Sequence, residues 1–154
     1  MVEAKKIADA KATEAFVESL WDNWYVKGLS DFIVCPNLSP MFDAEFHTNG
    51  RIQDAMVLVE NYINKLEIVG LKKHEFTPEG RPPMQCYVID AQGGSDKNVM
   101  LYGHLDKQPW LLPWSEGLGP CDPVIRGEFL YGRGGADDGY SPFSCMLAIK
   151  NLQQ

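Results

Sequence analysis

Most of the chain's 14 glycines and 10 prolines fall between Thr77 and Pro142, and no other feature narrows the possible folds as much. Glycine makes left-handed backbone accessible at an entropic cost, and proline removes a donor and blocks a helix interior. That stretch is therefore built on turns, loops and short strands, with the helices on either side of it. Hydrophobic residues make up 45% and charged residues 23%, so the chain has the apolar content for a core and is not disordered throughout. Its 154 residues fit a single domain.

Ahead of the glycine-rich region, residues 2–26 read as an amphipathic helix. Phe16, Leu20 and Trp24 recur at four-residue spacing, and Gly28 sits where a helix ends. Residues 29–50 lack a period and contain Cys35-Pro36, Ser39-Pro40 and Asn49-Gly50, which predicts an extended loop. A second helix is expected over residues 51–69, with Ile52, Met56, Val59, Ile63 and Leu66 as one stripe, Thr48 or Asn49 as cap and Gly70 as stop. Residues 77–83 are turn material, and residues 84–90 alternate like a strand. A turn at Gly93-Gly94-Ser95-Asp96 leads to a second, apolar strand over residues 98–103. Residues 123–131 suggest a hairpin around Arg126-Gly127, and Pro142 opens a last helix carrying Phe143, Met146, Leu147 and Ile149. Helices flanking strands predict an α/β sandwich with a mixed, mostly parallel sheet.

The net charge of −7 and the absence of a basic stripe argue against nucleic acid as a partner. No apolar run is long enough to span a membrane, and the N-terminus lacks a secretory h-region, so a cytoplasmic location is expected. Cys35, Cys86, Cys121 and Cys145 have no zinc-finger spacing and read as free thiols. His47, His74 and His104 are the only histidines.

The chemistry concentrates in two elements. The first is Gly103-His104-Leu105-Asp106-Lys107-Gln108-Pro109. Residues two apart on an extended chain share a face, so His104 and Asp106 project together from a strand's C-terminal edge, where open α/β sheets place ligands. A carboxylate beside an imidazole fixes its tautomer for metal binding. A surface histidine with a chance acidic neighbour is the plain alternative. The second element is Gly132-Arg133-Gly134-Gly135-Ala136-Asp137-Asp138-Gly139, where glycines permit unusual backbone just ahead of two carboxylates. Two acids would repel a phosphate and no P-loop lysine follows. An Asp-Asp-Gly surface turn remains the alternative here.

Together the two elements, with 33 residues from His104 to Asp137 and Trp114 between them, resemble the M20 metallopeptidases, most closely the carnosine dipeptidase branch. The motif matches cover about residues 99–140; the rest agrees in the order of its elements. The resemblance implies a catalytic site holding two divalent metal ions, zinc in the first instance. It makes His104 a terminal ligand of one ion, Asp137 a bridge between the two, and Asp106 the catalytic-site residue that orients His104. It also implies a cis Asp137–Asp138 peptide, and a small peptide-like substrate whose scissile carbonyl the paired ions polarise. Lys107 and the Asp138-Gly-Tyr-Ser run depart from the family pattern. Lys107 is expected in solvent, and Arg133 is expected to hold its loop through carbonyls or an acid.

The family's Glu-Glu pair, distal histidine and lid domain have no counterpart in the sequence. Residues 1–154 are thus expected to be the N-terminal part of a catalytic domain, inactive alone. A reading from another class is a non-catalytic module that self-associates through an unfinished sheet edge and helix face. Val124, Ile125, Phe129, Phe143, Met146, Leu147 and Ile149 would then be half-covered, giving a homo-oligomer.

Overall fold

The structure, a computed structural model, describes residues 9–90 and 96–154. The expected helix start at residues 2–8 and the turn at residues 93–95 lie outside the described residues. Asp9 caps α1 (Ala10–Leu20), its carboxylate accepting from Lys11 N at 3.0 Å. The chain continues through a π-helical turn, Trp21–Val26, directly into α2 (Lys27–Val34). Gly28 therefore does not end the first helix. A Cβ on it would lie 2.5 Å from Phe143 Cε1 and 3.0 Å from Tyr62 Cδ1, so glycine here lets two aromatic rings approach the backbone. The loop expected from residue 29 begins only after Val34, because Leu29, Phe32 and Ile33 supply a helical apolar stripe too short to stand out.

Helix α3 (Arg51–Asn64) follows Gly50, which takes φ +73°, and Asn49 Oδ1 accepts from Arg51 N at 3.1 Å. It stops before the expected residue 69, and Gly70, at φ +77°, reverses the chain into β1 (Leu71–Phe76). β1 pairs antiparallel with β2 (Met84–Ile89), Leu71 opposite Ile89 and Phe76 opposite Met84. A second hairpin joins β3 (Val124–Arg126) to β4 (Phe129–Tyr131), with Gly127 at φ +61° in its turn, as the sequence predicted. Residues 135–139 form another π-helical turn that leads into α4 (Tyr140–Leu152).

The expected α/β sandwich is not what forms. The sheets among the described residues are two separate antiparallel pairs, and the parallel pairing is limited to an isolated bridge between Leu38 and Lys107. Residues 98–103, expected as a central strand, enter no ladder, and Val99 and Met100 are 84% and 91% exposed. Apolar content suits a residue to a strand, but a strand exists only when a neighbour pairs with its backbone.

The core lies among the helices. Trp24, Tyr62 and Phe143 meet edge to face, with ring centroids 5.7–6.4 Å apart. Trp24 Nε1 donates to Tyr62 O at 2.8 Å. Phe32, Ala55, Val59, Ile63, Met146 and Leu147 are among the residues that join them in the cluster. Phe143, Met146 and Leu147 are buried, so the face of α4 expected to be half-covered is closed by the chain's own helices. Ile125 and Phe129 do stay exposed. No helix among the described residues is long and apolar enough to cross a membrane.

Candidate metal centre

Residues 103–107 are held by the loop that follows α2. Asn37 Nδ2 donates to Leu105 O at 2.7 Å, Lys107 N to Asn37 O at 3.0 Å, and Ser39 N to Lys107 O at 2.9 Å. Leu105 packs against the core cluster, and its neighbours on either side, His104 and Asp106, sit near one another. The i, i+2 relation expected for a strand edge is thus kept without a strand: a backbone clamp on one segment does the same work as a ladder.

The second element approaches from α4. Gly134 takes φ +83°, and a Cβ there would lie 2.6 Å from Lys107 Cε, so both its backbone and its surroundings demand glycine. The Asp137–Asp138 peptide is cis, as the resemblance implies. Asp138 ties the two elements together: Oδ2 accepts from His104 N at 3.3 Å and Oδ1 accepts from Ser141 Oγ at 2.6 Å. Gly103 gives way to this arrangement, since a Cβ on it would lie 2.8 Å from Ser141 Cβ.

The outcome is an imidazole between two carboxylates. His104 Nδ1 lies 3.2 Å from Asp106 Oδ1, and His104 Nε2 lies 3.2 Å from Asp137 Oδ1. The His104, Asp106 and Asp137 side chains are 32%, 37% and 59% exposed, so solutes reach the cluster from outside. A neutral imidazole has one N–H. If Asp106 takes it at Nδ1, through its backbone O at 3.1 Å or Oδ1 at 3.2 Å, the Nε2 lone pair faces the Asp137 carboxylate, and two acceptors at 3.2 Å call for a proton or a metal ion between them. Donors on one tetrahedral zinc, each about 2.0–2.1 Å from the ion, stand roughly 3.3 Å apart. His104 and Asp137 therefore fit as two ligands of one ion, with Asp106 orienting the ring from behind. They do not complete a site: no group of three or more His, Cys, Asp or Glu that could hold a metal occurs among the described residues.

Lys107 is not in solvent. It is 1% exposed, and its Nζ donates to the carbonyls of Phe32, Ile33 and Cys35 at 2.7, 3.1 and 2.6 Å, closing the C-terminus of α2. Burial pulls its pKa down to about 8, against the opposing pull of the Cys35 and Cys121 thiols. Arg133 also differs from expectation. Its guanidinium lies over Trp114, 5.6 Å from the ring, and its buried Nε has no partner among the described residues. The loop is held instead by Arg133 N donating to Pro120 O at 2.8 Å. Sequence reasoning did not single out Asn37, Asp138 or Ser141 as parts of the site. The Asp-Asp pair drew notice to Asp138, but its hold on the His104 amide spans 34 residues. No protein-family model matches the chain.

Proposed function

We propose that the chain is part of a zinc-dependent hydrolase of the M20 metallopeptidase type, acting on dipeptides or related small amides. What carries this reading is the placement of His104 Nε2 and Asp137 Oδ1 3.2 Å apart, from segments 33 residues apart in sequence. When bound, paired zinc ions polarise a scissile carbonyl and stabilise the charge that develops on its oxygen. In this chain His104 and Asp137 would hold the metal, and Asp106 would keep the ring oriented with Nε2 toward it. Asp138 fixes the distance between the two segments through the His104 amide and Ser141. The remaining ligands and a general base would come from further chain, which makes residues 1–154 one lip of the site.

Zinc titration of the purified chain tests the reading. Binding that His104→Ala and Asp137→Ala each weaken supports it; binding that neither alters removes it. Purified chain is expected to show no zinc-dependent dipeptide hydrolysis. Hydrolysis abolished by Asp137→Ala would mean that another carboxylate, such as Glu116 or Glu128, serves as base.

A second reading, a self-associating module without catalysis, draws on the exposed apolar run at residues 99–102 and on Ile125 and Phe129. Sedimentation across a concentration series separates the two: dimers without zinc binding favour the module.

A further inference from the structure

The buried ammonium of Lys107 has no part in the reading above, yet it touches every segment that builds the site. Its Nζ gathers three carbonyls at the end of α2, and lies 4.4 Å from the centre of the Phe32 ring. Its backbone exchanges hydrogen bonds with Asn37 O and Ser39 N. Its stem runs beneath Gly134, whose Cβ, if present, would lie 2.6 Å from Lys107 Cε and 2.7 Å from Cγ. His104 stands three residues before Lys107, and Asp137 three residues after Gly134. One side chain therefore joins α2, the His104 segment and the Asp137 loop.

Stability alone does not call for a lysine here. A buried charge costs several kcal/mol of desolvation, and an apolar residue of the same length often fills such a place as well or better. What an apolar residue lacks is direction. Three donors aimed at three fixed carbonyls set the stem at one depth and one angle. A metal site is sensitive to displacements of its ligands of about 0.5 Å.

We propose that Lys107 is a positioning residue, holding the His104 segment and the Asp137 loop in the mutual placement that lets both reach one metal ion, a role that rests on the metal-site reading. Lys107 acts through His104 and Asp137.

The test uses the whole chain and two readouts, one of them independent of metal. Lys107→Met keeps the length of the stem and removes the ammonium. With folding checked by circular dichroism and melting, the ring nitrogens of His104 are followed by NMR without metal, with exposed His74 as internal reference. The expected result is a folded variant whose His104 ring signals move toward those of His74 and whose zinc affinity falls about tenfold. A folded variant with unmoved ring signals and unchanged zinc affinity overturns the proposal. Should Lys107→Met fail to fold, Lys107→Gln keeps a neutral donor on a shorter stem and leaves the Gly134 backbone untouched, and the same two outcomes decide. A destabilising substitution in the aromatic core, Trp24→Phe, is the control: a purely structural role predicts equal loss of ring order there. If His104→Ala leaves zinc affinity unchanged, the metal reading fails, while the ring signals still judge Lys107.

Discussion

At Asp106 two oxygens face His104 Nδ1, the backbone carbonyl at 3.1 Å and the carboxylate Oδ1 at 3.2 Å, and together they leave Nε2 as the ring nitrogen turned toward Asp137. Partners that orient a metal-bound histidine are worth about 10–100-fold in metal affinity. Asp106→Ala removes the carboxylate and leaves the carbonyl, so it is expected to weaken zinc binding by about tenfold, the lower end of that range, with the fold intact, measured by competition against a chromogenic chelator. Lys107 yields a pH prediction. Burial lowers its pKa from 10.5 to about 8, so between those values the unfolded chain holds a proton that the folded chain has lost. Stability contributed by this group therefore rises with pH across that window, by up to about 1.4 kcal/mol per pH unit, and is flat below it. Burial raises the thiols of Cys35, Cys121 and Cys145 and works the opposite way above about pH 9. The prediction concerns the difference between the parent chain and Lys107→Met: urea unfolding at pH 8 and pH 10 should find it shifted toward the parent at the higher pH. The pairing of His104 with Asp106 was legible because two residues apart is a local relation. The burial of Lys107 was not, because its partner Phe32 lies 75 residues away.

Helix α2 shows how two effects compete at one position. Helix propensity favours Gly28→Ala by about 1 kcal/mol. Packing opposes it, because the added methyl would sit 2.5 Å from Phe143 Cε1 and 3.0 Å from Tyr62 Cδ1, in an interior where overpacking costs about 1–3 kcal/mol. Packing wins, and Gly28→Ala is expected to lower the melting temperature. A rise would show that the two rings can retreat. Phe143→Ala, which empties the meeting point of three edge-to-face contacts, should cost about 3–5 kcal/mol by chemical denaturation. The long amphipathic segments announced themselves through Leu20, Trp24, Val59 and Ile63. β1 did not: Lys72, Lys73, His74 and Glu75 are exposed, and the strand exists because β2 pairs with its backbone. Residues 98–103 failed in the opposite sense, apolar enough for a strand but without a partner. Periodicity reports which face a residue presents; pairing is a property of two segments.

For the molecule as a whole, the helices close a core on themselves, while Val99, Met100, Ile125 and Phe129 stay in water. Exposed apolar surface costs about 25 cal/mol per Å², which predicts concentration-dependent association. Sedimentation at rising concentration should detect it, and replacing Met100 and Phe129 by serine should reduce it. The candidate site draws on the end of α2, residues 103–107 and the loop before α4, so its legibility in the sequence was partial. The two motifs stood out as residue types, but only the fold shows that Asn37, Lys107 and Asp138 bring them together. His104 and Asp137, 33 residues apart, are proposed as ligands to one ion. The most direct measurement is the NMR spectrum of the His104 ring nitrogens during zinc titration of the parent chain and Asp137→Ala. A large shift at Nε2 is expected in the parent, with a loss of about tenfold or more in apparent affinity in the variant. Zinc binding that leaves Nε2 unmoved, or that proceeds equally well without Asp137, would contradict it.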